Sequence, residues 1–314
     1  MQKSKNNHYS VIIIGGGAAG ISAALWSAEL GLKAILLETS NELGGQLLWT
    51  YNPIKNHLGI EVENGRELQQ IFLKQIKERQ FELQTNCEVI EINTEKKLVT
   101  LKNGDVLSAD ALIIATGIRR RKLGLENEEK FKGHGILKSG KRDAKKVIGK
   151  NVCIIGGGDA ALENALILSE FANEVTLIHR RKEFRGRLEF VEKVRQNKKI
   201  TILSETIITG LIGQKSLTAI ELLNIKTNEI SIHQTDFLVF RLGVEPNTEL
   251  LKNKIKLDKT GYCLIDSHYQ TNIENIYAIG DVANPLAPTI SSAIGMGASV
   301  AKIIYEEINR SPNL

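Results

Sequence analysis

The feature that most constrains the fold is a glycine-rich segment near the N-terminus. Residues 11–38 contain an apolar run, then Gly15-Gly16-Gly17, a stretch typical of a helix, a second apolar run and an acid, Glu38. This order predicts a strand, a glycine turn, a helix and a strand. In such a unit the backbone of the turn approaches a pyrophosphate, whose charge is met by N–H groups at the start of the helix. The segment therefore predicts a dinucleotide-binding unit.

The same pattern returns at residues 152–179, displaced by 141 positions without a gap. Val11 corresponds to Val152, and Leu36 corresponds to Leu177. Similarity over the 28 positions from 11 to 38 indicates an internal repeat. Two dinucleotide sites in one chain are typical of an enzyme that uses two redox cofactors.

The two copies differ at their last position. The first copy ends in Glu38, whereas the second ends in His179, which is followed by Arg180, Arg181 and Arg185. A carboxylate accepts hydrogen bonds from ribose hydroxyls and repels a 2′-phosphate, while guanidinium groups pair with that phosphate. We therefore predict that the first copy binds a cofactor with a free ribose and that the second prefers NADPH over NADH.

Composition is that of an ordinary two-domain protein. The chain has 314 residues, 42% hydrophobic and 25% charged, which is long for one core. A net charge of +5 (41 basic, 36 acidic) and 5% aromatic residues do not indicate a nucleic-acid partner. No signal peptide or membrane span is predicted, so we expect a cytoplasmic protein without membrane insertion.

Cysteine usage does not favour a disulfide framework or a metal site. The chain has three cysteines, Cys87, Cys153 and Cys263, which are far apart and form no CxxC. No metal is expected. The remaining periodicity predicts a mixed α/β chain, with a helix at 64–80, strands between 82 and 101, a turn at Asn103-Gly104, strands at 111–117, 200–203 and 237–240, and a helix at 290–308.

Taken in order, the motifs resemble those of the low-molecular-weight thioredoxin reductases and, more broadly, of the two-dinucleotide flavoprotein reductases. The motifs are the first glycine turn with Glu38, GGQL at 44–47, ATG at 115–117, the second glycine turn, HRRxxxR at 179–185 and AIGD at 278–281. The resemblance covers essentially the whole chain. It implies an NADPH-dependent FAD oxidoreductase and a homodimer.

The same resemblance implies an α/β fold with two Rossmann-like domains, in which an NADPH domain (119–238) is inserted into a discontinuous FAD domain (1–118 and 239–314). By this likeness FAD would contact Gly15, Gly17, Ala18, Ala19, Gly20, Glu38, Gly45, Gln46, Leu47, Asn56, Ala115, Thr116, Gly117, Gly280 and Asp281. NADPH would contact Gly156, Gly158, Asp159, Ala160, Ala161, His179, Arg180, Arg181 and Arg185.

The chain departs from this family at its redox centre. The family's CxxC would fall on Ser139-Gly140-Lys141-Arg142, where neither cysteine is present, and the following acid is Asp143. Thiol–disulfide exchange requires a thiolate that attacks a sulfur, so reduction of thioredoxin is not expected. Asp143 is a candidate for handling a proton.

Two further departures concern the flavin and the strand ends. The Arg-Gln pair that usually precedes the last helix is Pro288-Thr289, so its flavin contacts are uncertain from the sequence. Arg241 interrupts an otherwise apolar strand end, and the sequence offers no account of it.

Related reductases without CxxC supply the alternatives. The thioredoxin-reductase-like ferredoxin (flavodoxin)–NADP reductases carry a C-terminal extension that covers the flavin, and with about a dozen residues after Lys302 we expect such a cover to be missing or supplied otherwise. Bacillithiol disulfide reductases carry a cysteine where this chain has Ala19. A ferredoxin- or flavodoxin-type acceptor is thus favoured. A disulfide reductase working without its own CxxC and a non-catalytic flavin redox sensor remain alternatives.

A basic segment lies between the predicted domains. Residues 119–150 hold twelve basic and four acidic side chains, a local net charge of +8, which leaves −3 for the rest of a chain of net +5. Complementary charge raises association rates and sets orientation. We therefore hypothesise that an acidic electron-carrier protein docks on this segment.

Overall fold

The computed structural model describes residues 7–310, and the chain divides into two compact units. Unit 1 joins the segment that ends at Arg119 to the segment that begins at Glu245, and unit 2 is Arg120–Val244. The second crossing lies six residues after the border at 238/239 expected from the sequence, because the strand at Phe237–Phe240 pairs within unit 2. Among the described residues, no helix is both long enough and apolar enough to cross a membrane.

The elements follow in chain order. The first segment of unit 1 contains β1 (His8–Ile14), α1 (Ala18–Glu29), β2 (Ala34–Leu37), α2 (Gly65–Ile76), β3 (Glu82–Gln84), β4 (Val89–Asn93), β5 (Leu98–Leu101), β6 (Val106–Ile114) and β7 (Ile118–Arg120). Unit 2 contains β8 (Ile136–Leu137), α3 (Gly140–Asp143), β9 (Asn151–Ile155), α4 (Asp159–Ser169), β10 (Glu174–Ile178), α5 (Leu188–Gln196), β11 (Ile200–Leu203), β12 (Thr206–Ile212), β13 (Ala219–Asn224), β14 (Ile230–Gln234) and β15 (Phe237–Phe240). The returning segment contains β16 (Val244–Pro246), β17 (Ile276–Ala278) and α6 (Ile290–Asn309).

Unit 1 is built on a seven-stranded sheet in the order β3-β2-β1-β6-β5-β4, with β17 also pairing with β6. The pairs among β3, β2, β1, β6 and β17 are parallel, while β4, β5 and β6 form an antiparallel meander. Parallel strands covered on both faces need continuous apolar runs. Residues 11–14, 34–37 and 111–114 supply them, and all twelve are buried. This confirms the strands predicted at the first glycine motif and near ATG.

Unit 2 repeats the same construction on a smaller scale. Its parallel sheet runs β11-β10-β9-β15-β8, and a separate antiparallel sheet runs β12-β13-β14. Val11 pairs with Ala34 in unit 1, and Val152 pairs with Val175 in unit 2. The two repeats therefore share one strand register at the offset seen in the sequence. The α/β fold with two Rossmann-like domains is confirmed.

Helix α6 closes unit 1 by packing directly on α1. A Cβ at Gly297 would lie 2.5 Å from Ala19 O and 2.9 Å from Ala23 N, so only glycine allows this approach. Ser22 Oγ also donates to Ile294 O at 2.8 Å. The C-terminal segment is thus an integral part of the first nucleotide-binding unit.

Candidate functional site

A cavity of about 600 Å³ lies in unit 1 beside the glycine turn and the segments that follow β2, β6 and β17. This is where parallel α/β sheets bind ligands. The turn needs its glycines for close approach: Gly15 has φ +109°, and a Cβ there would lie 2.4 Å from Ala115 O. A Cβ at Gly20 would lie 1.9 Å from Gly15 O. Gly20 therefore allows α1 to pack closely on the turn and does not line the cavity.

Most residues predicted to contact FAD line this cavity together. They are Gly15, Gly17, Ala18, Ala19, Glu38, Gly45, Gln46, Leu47, Ala115, Thr116, Gly117, Gly280 and Asp281. Gln46 is held by its Nε2, which donates to Ile118 O at 2.7 Å. Asn56 is exposed and does not line the cavity. The contact of Asn56 with FAD that the family resemblance implies stays a prediction.

Glu38 is fixed at the end of β2 by two main-chain groups. Its carboxylate accepts hydrogen bonds from Gly16 N and from Ser40 N, each at 2.7 Å. An ionised carboxylate has about four acceptor sites, so two remain for ligand hydroxyls. The side chain is therefore fixed beside the glycine turn with acceptor sites left over.

Asp281 provides the strongest indication of what the cavity holds. It follows β17 in the short 3₁₀ helix Gly280–Val282, and its carboxylate has no hydrogen-bond donor among the described residues. Burial raises the pKa of this carboxyl group. A largely buried carboxylate without a donor is costly unless a ligand supplies one. A hydroxyl of the flavin's ribityl chain fits this requirement.

Several lining residues were not among the predicted contacts. Asn247 follows β16, where its Nδ2 donates to Thr116 O at 2.8 Å and its Oδ1 accepts from Arg119 Nη1 at 2.9 Å. The signal available in the sequence was only a Pro-Asn pair after a strand. Trp49 also lines the cavity. Among the described residues it is the one aromatic side chain that does so.

Pro288 and Thr289 line the cavity although they replace the family's Arg-Gln pair. Thr289 is the N-cap of α6, and its Oγ1 accepts from Ser292 N at 3.1 Å. Ile290 and Ala293 of the same helix also line the cavity. The substitution therefore leaves a capped helix start beside the ligand space, without a charged side chain.

The second glycine turn, in unit 2, is backed by a folded loop. Gly156 has φ +149°, and a Cβ there would lie 2.3 Å from Arg241 O. The loop after β10 folds back, with Arg185 N donating to Gly157 O at 2.8 Å. Asp159 begins α4 and accepts from Arg187 N at 2.7 Å and Nε at 3.0 Å. Asp159 was predicted to touch NADPH, and the structure shows it holding this loop on the helix start.

His179 is buried and shapes the turn. A Cβ at Gly157 would lie 2.2 Å from the imidazole, which stacks on Phe184 with ring centroids 5.3 Å apart. Its Nε2 lies 3.1 Å from Glu183 O. Burial, reinforced by the positive charges of Arg181, Arg185 and Arg180, lowers the pKa of His179, so the ring is neutral at pH 7.

The three arginines that follow are oriented toward solvent. Arg180, Arg181 and Arg185 are exposed and form no ion pair with another described residue. Unpaired guanidinium groups beside a glycine turn fit a ribose 2′-phosphate, with which they can form bidentate hydrogen bonds. Gly158, Ala160 and Ala161 form the turn and the first residues of α4 beside them.

Asp143, the candidate for handling a proton, lies among hydrogen-bond donors and cations. It is buried and accepts from Lys138 N at 3.0 Å and Ser139 N at 3.2 Å. Arg142 Nε lies 3.3 Å and Lys146 Nζ 3.0 Å from the same carboxylate. Burial alone would raise the pKa of Asp143, but these donors outweigh it and lower the pKa. The carboxylate stays ionised and holds the turn around α3.

The cysteines lie away from the cavity. Cys153 is in the core strand β9, Cys263 is buried in unit 1, and burial raises the pKa of each thiol to about 12. Cys87 is partly buried, and burial also raises its pKa. None of the three lines the cavity. None of these thiols is placed to exchange with a disulfide beside a flavin.

Comparison with known proteins agrees with this geometry. The family model described as pyridine nucleotide-disulphide oxidoreductase matches residues 9–297. The thioredoxin reductase of Rickettsia prowazekii is 31% identical over 306 residues, which cover 96% of this chain and 98% of that protein. A Clostridium pasteurianum protein described as a 34.2 kDa protein in the rubredoxin operon is 30% identical, with coverage of 95% and 96%.

A crystal structure of Lactococcus lactis thioredoxin reductase in its FR conformation matches with a TM-score of 0.81 and 29% identity, covering 95% of this chain and 98% of that one. The chain belongs to the pyridine nucleotide-disulphide oxidoreductase family. Within that family it is a thioredoxin-reductase-like flavoprotein oxidoreductase of the low-molecular-weight type, which uses FAD and NADPH.

Proposed function

We propose that this enzyme transfers electrons from NADPH through FAD to an acidic ferredoxin- or flavodoxin-type protein. FAD would occupy the cavity of unit 1, with its ribose on Glu38 and its ribityl hydroxyls on Asp281. NADPH would bind the second glycine turn, with its 2′-phosphate on Arg180, Arg181 and Arg185. Unit 1 would then be the FAD domain and unit 2 the NADPH domain.

A bound flavin would accept two electrons from NADPH and release them one at a time. One NADPH becomes NADP⁺ and a proton, and its two electrons reduce two one-electron carriers. The protein's residues have only to bind and orient these groups. Glu38, held by two main-chain N–H groups, and Asp281, held on a short helix, are preorganised to do so.

The observation that carries the proposal is the structural role of the residues at the family's redox position. Ser139 caps α3, its Oγ accepting from Arg142 N at 3.4 Å, and Arg142 pairs with Asp143. The three thiols are buried or partly buried and have raised pKa values. A dithiol relay has no residues to carry it. The relative encoded in a rubredoxin operon supports a small electron-carrier protein as the alternative acceptor.

Ion pairs within the structure favour a docking surface smaller than the whole of residues 119–150. Arg119 pairs with Glu245 and Glu249, and both Lys122 and Lys132 pair with Glu129. Those charges are largely compensated.

An excess of positive charge lies at residues 138–146, which we term the cationic turn. Five basic side chains and one acid give it a net charge of +4, and all five basic side chains are exposed: Lys138, Lys141, Arg142, Lys145 and Lys146. Lys141 and Lys145 form no ion pair with a described residue, so they can meet carboxylates of a partner.

Electron transfer to purified ferredoxin and flavodoxin tests the proposal, with thioredoxin and low-molecular-weight disulfides as parallel acceptors. We expect reduction of the carriers at rates that fall steeply with salt. The double variant Lys141→Glu/Lys145→Glu should lower kcat/KM for the carrier at least tenfold at low salt, with NADPH–ferricyanide activity unchanged. The matched control, Lys215→Glu/Lys226→Glu, makes the same charge change on exposed loops of unit 2.

Equal losses in the two double variants would remove the docking surface from the proposal. Faster turnover with a disulfide than with either carrier would replace the proposed acceptor by a disulfide substrate.

We also propose a homodimer. Leu58 and Leu286 are 98% and 96% exposed in loops of unit 1. His57 Nδ1 lies 3.0 Å from Ser291 Oγ, which joins one loop to the start of α6. Two nearly bare leucines beside a common helix end suit burial by a second copy. Sedimentation equilibrium of the wild type and of Leu58→Lys/Leu286→Lys should show a dimer and its loss.

A further inference from the structure

Arg241, which the sequence left without an explanation, is a largely buried cation bound by three neutral oxygens. Its Nη1 donates to Phe240 O at 2.7 Å, and its Nη2 contacts Asn164 Oδ1 at 2.9 Å and Lys138 O at 3.3 Å. Burial, with a smaller contribution from the charge of Arg120, lowers the pKa of Arg241 to about 10. The group stays charged at pH 7. Retaining a buried charge requires these oxygens to stay in place.

The main chain of Arg241 is part of the second glycine turn. Its N–H donates to Ile155 O at 2.7 Å, immediately before Gly156. Its carbonyl oxygen is the atom that excludes a Cβ from Gly156. One residue therefore touches the turn through its backbone and the cationic turn through its side chain.

Asn164 makes a second connection between the same two places. Its Nδ2 donates to Ala160 O at 2.7 Å within the first turns of α4, and its Oδ1 accepts from Gly140 N at 2.8 Å. A Cβ at Gly140 would lie 2.5 Å from that oxygen. The amide oxygen is thus shared by Arg241, which directly follows β15, and by Gly140, at the start of α3.

The carbonyl of Lys138 is the point at which this network reaches the cationic turn. It accepts from Arg241 Nη2 and also from Arg120 Nη1 at 2.6 Å. On the other side of the peptide, Lys138 N and Ser139 N donate to Asp143. The backbone from Lys138 to Gly140 is therefore set by hydrogen bonds on every side, and its position depends on where Arg241 and Asn164 lie.

We infer that Arg241 and Asn164 are positioning residues that couple occupancy of the nicotinamide-nucleotide turn to the conformation of the cationic turn. A pyrophosphate bound at Gly156–Ala161 fixes the turn, which contacts Arg241's backbone, and the start of α4, which carries Asn164. Lys138, Gly140 and the lysines beyond them are then held in one arrangement. The functional consequence rests on the proposed docking of an acidic carrier: the loaded enzyme offers a more ordered docking surface than the empty one.

Such coupling is reciprocal, because a carrier that prefers the ordered turn must tighten nucleotide binding by the same factor. The geometry is local to unit 2 and needs no motion between units. This network also differs from a disulfide cross-link. A guanidinium group and a side-chain amide hold the turn, and no sulfur takes part.

Hydrogen–deuterium exchange on the FAD-loaded enzyme, with and without NADP⁺, tests the inference without any acceptor. We expect NADP⁺ to slow exchange of amides in residues 138–146 at least threefold. Exchange of the β13–β14 turn at residues 225–229 serves as the internal control and should not change. Unchanged exchange of residues 138–146 in the wild type would overturn the inference, whatever protein accepts the electrons.

The variant Arg241→Met removes the charge while keeping a long side chain. It should speed exchange of residues 138–146 and abolish the effect of NADP⁺ there, while NADP⁺ still binds by calorimetry. Arg241→Lys, which keeps the charge and can bond to one or two of the oxygens, should restore part of the effect. If Arg241 only supported the local fold, NADP⁺ would still slow exchange in Arg241→Met, and the coupling would be disproved.

Discussion

At one position of the internal repeat, the two copies carry residues of different charge and size. Glu38 and His179 are equivalent in the two copies, and both contact the middle glycine of their turn. Glu38 accepts from Gly16 N and keeps free lone pairs, whereas His179 is a neutral ring packed behind Gly157. The acidic copy is complementary to ribose hydroxyls. In the histidine copy we propose that the arginines that follow recognise the charge of the ligand.

The first prediction concerns those arginines. Arg180→Gln/Arg181→Gln should raise the KM for NADPH by about tenfold or more, because charge-assisted hydrogen bonds contribute about 1.5–3 kcal/mol each. The KM for NADH should stay the same, because NADH lacks the 2′-phosphate. Steady-state reduction of ferricyanide with either nucleotide measures both values. A parallel rise for NADPH and NADH would show that the pair supports the fold of the loop and does not recognise the phosphate.

The second prediction concerns Asp281. Burial raises the pKa of this group, and a bound hydroxyl donor favours the ionised form, so FAD binding must lower that pKa. As pH falls through the raised pKa of the apoprotein, the carboxylate takes up a proton and FAD affinity should decrease. Flavin released on dialysis between about pH 4.5 and 8 measures the effect.

The variant Asp281→Asn supplies the control. It should bind FAD about tenfold more weakly at pH 7, since a neutral hydrogen bond is about half as strong as a charged one. Its affinity should show less pH dependence over the same range. A variant with the wild-type pH profile would assign the titration to another group.

These residues also show which parts of the candidate site could be predicted from the sequence. Glu38 was a candidate because it follows a strand at the spacing of the glycine motif, and Asp281 was a candidate because of the resemblance to a known family. Asn247 and Arg241 were not, because their partners are Thr116, Lys138 and Asn164, which only tertiary structure brings near. The environment of Asp143 could not be predicted for the same reason: its donors are defined by the fold of the turn.

At the scale of elements, long periodic segments were predictable and short irregular ones were not. The helix expected at 290–308 is α6 (Ile290–Asn309), and the strands at 200–203 and 237–240 are β11 and β15. No helix or strand was predicted within residues 123–150, yet they contain β8 and α3. Strand β8 has two residues and α3 has four, too short for any period to show.

The third prediction concerns α3. Gly140→Ala should lower the free energy of unfolding by about 1–3 kcal/mol, the usual cost of overpacking. The new methyl would displace the Asn164 oxygen that also binds Gly140 N and Arg241. Chemical denaturation of the holoenzyme measures the change. Gly295→Ala is the matched control: it lies in α6 with open space around its Cβ, so it should be neutral or stabilise by about 0.5–1 kcal/mol.

At the scale of the whole molecule, the two units differ in continuity. Unit 2 is one uninterrupted stretch with its own apolar core, whereas unit 1 is assembled from two segments. In unit 1, β17 pairs with β6, and α6 packs on α1. The paired strands β7 and β16 mark the two places where the chain passes between the units.

The fourth prediction follows from that division. A fragment of residues 120–244 should fold alone and unfold in one cooperative transition. A fragment that ends at Arg119 should not, because it lacks β17 and α6. Circular dichroism during thermal unfolding of each fragment distinguishes them, and mixing residues 1–119 with 245–314 offers a complementation control. A cooperative transition for residues 1–119 alone would contradict the expectation.

The order of the two units along the chain also determines the order in which they can fold during synthesis. At roughly 5–20 residues per second, the stretch that makes up unit 2 takes on the order of 10 s to synthesise. During that time the nascent first segment exposes the part of β6 that later pairs with β17 and the face of α1 that α6 later covers. Unit 1, whose first segment is synthesised first, is therefore completed last. We expect this first segment to be the part of the chain with most need of a chaperone during synthesis.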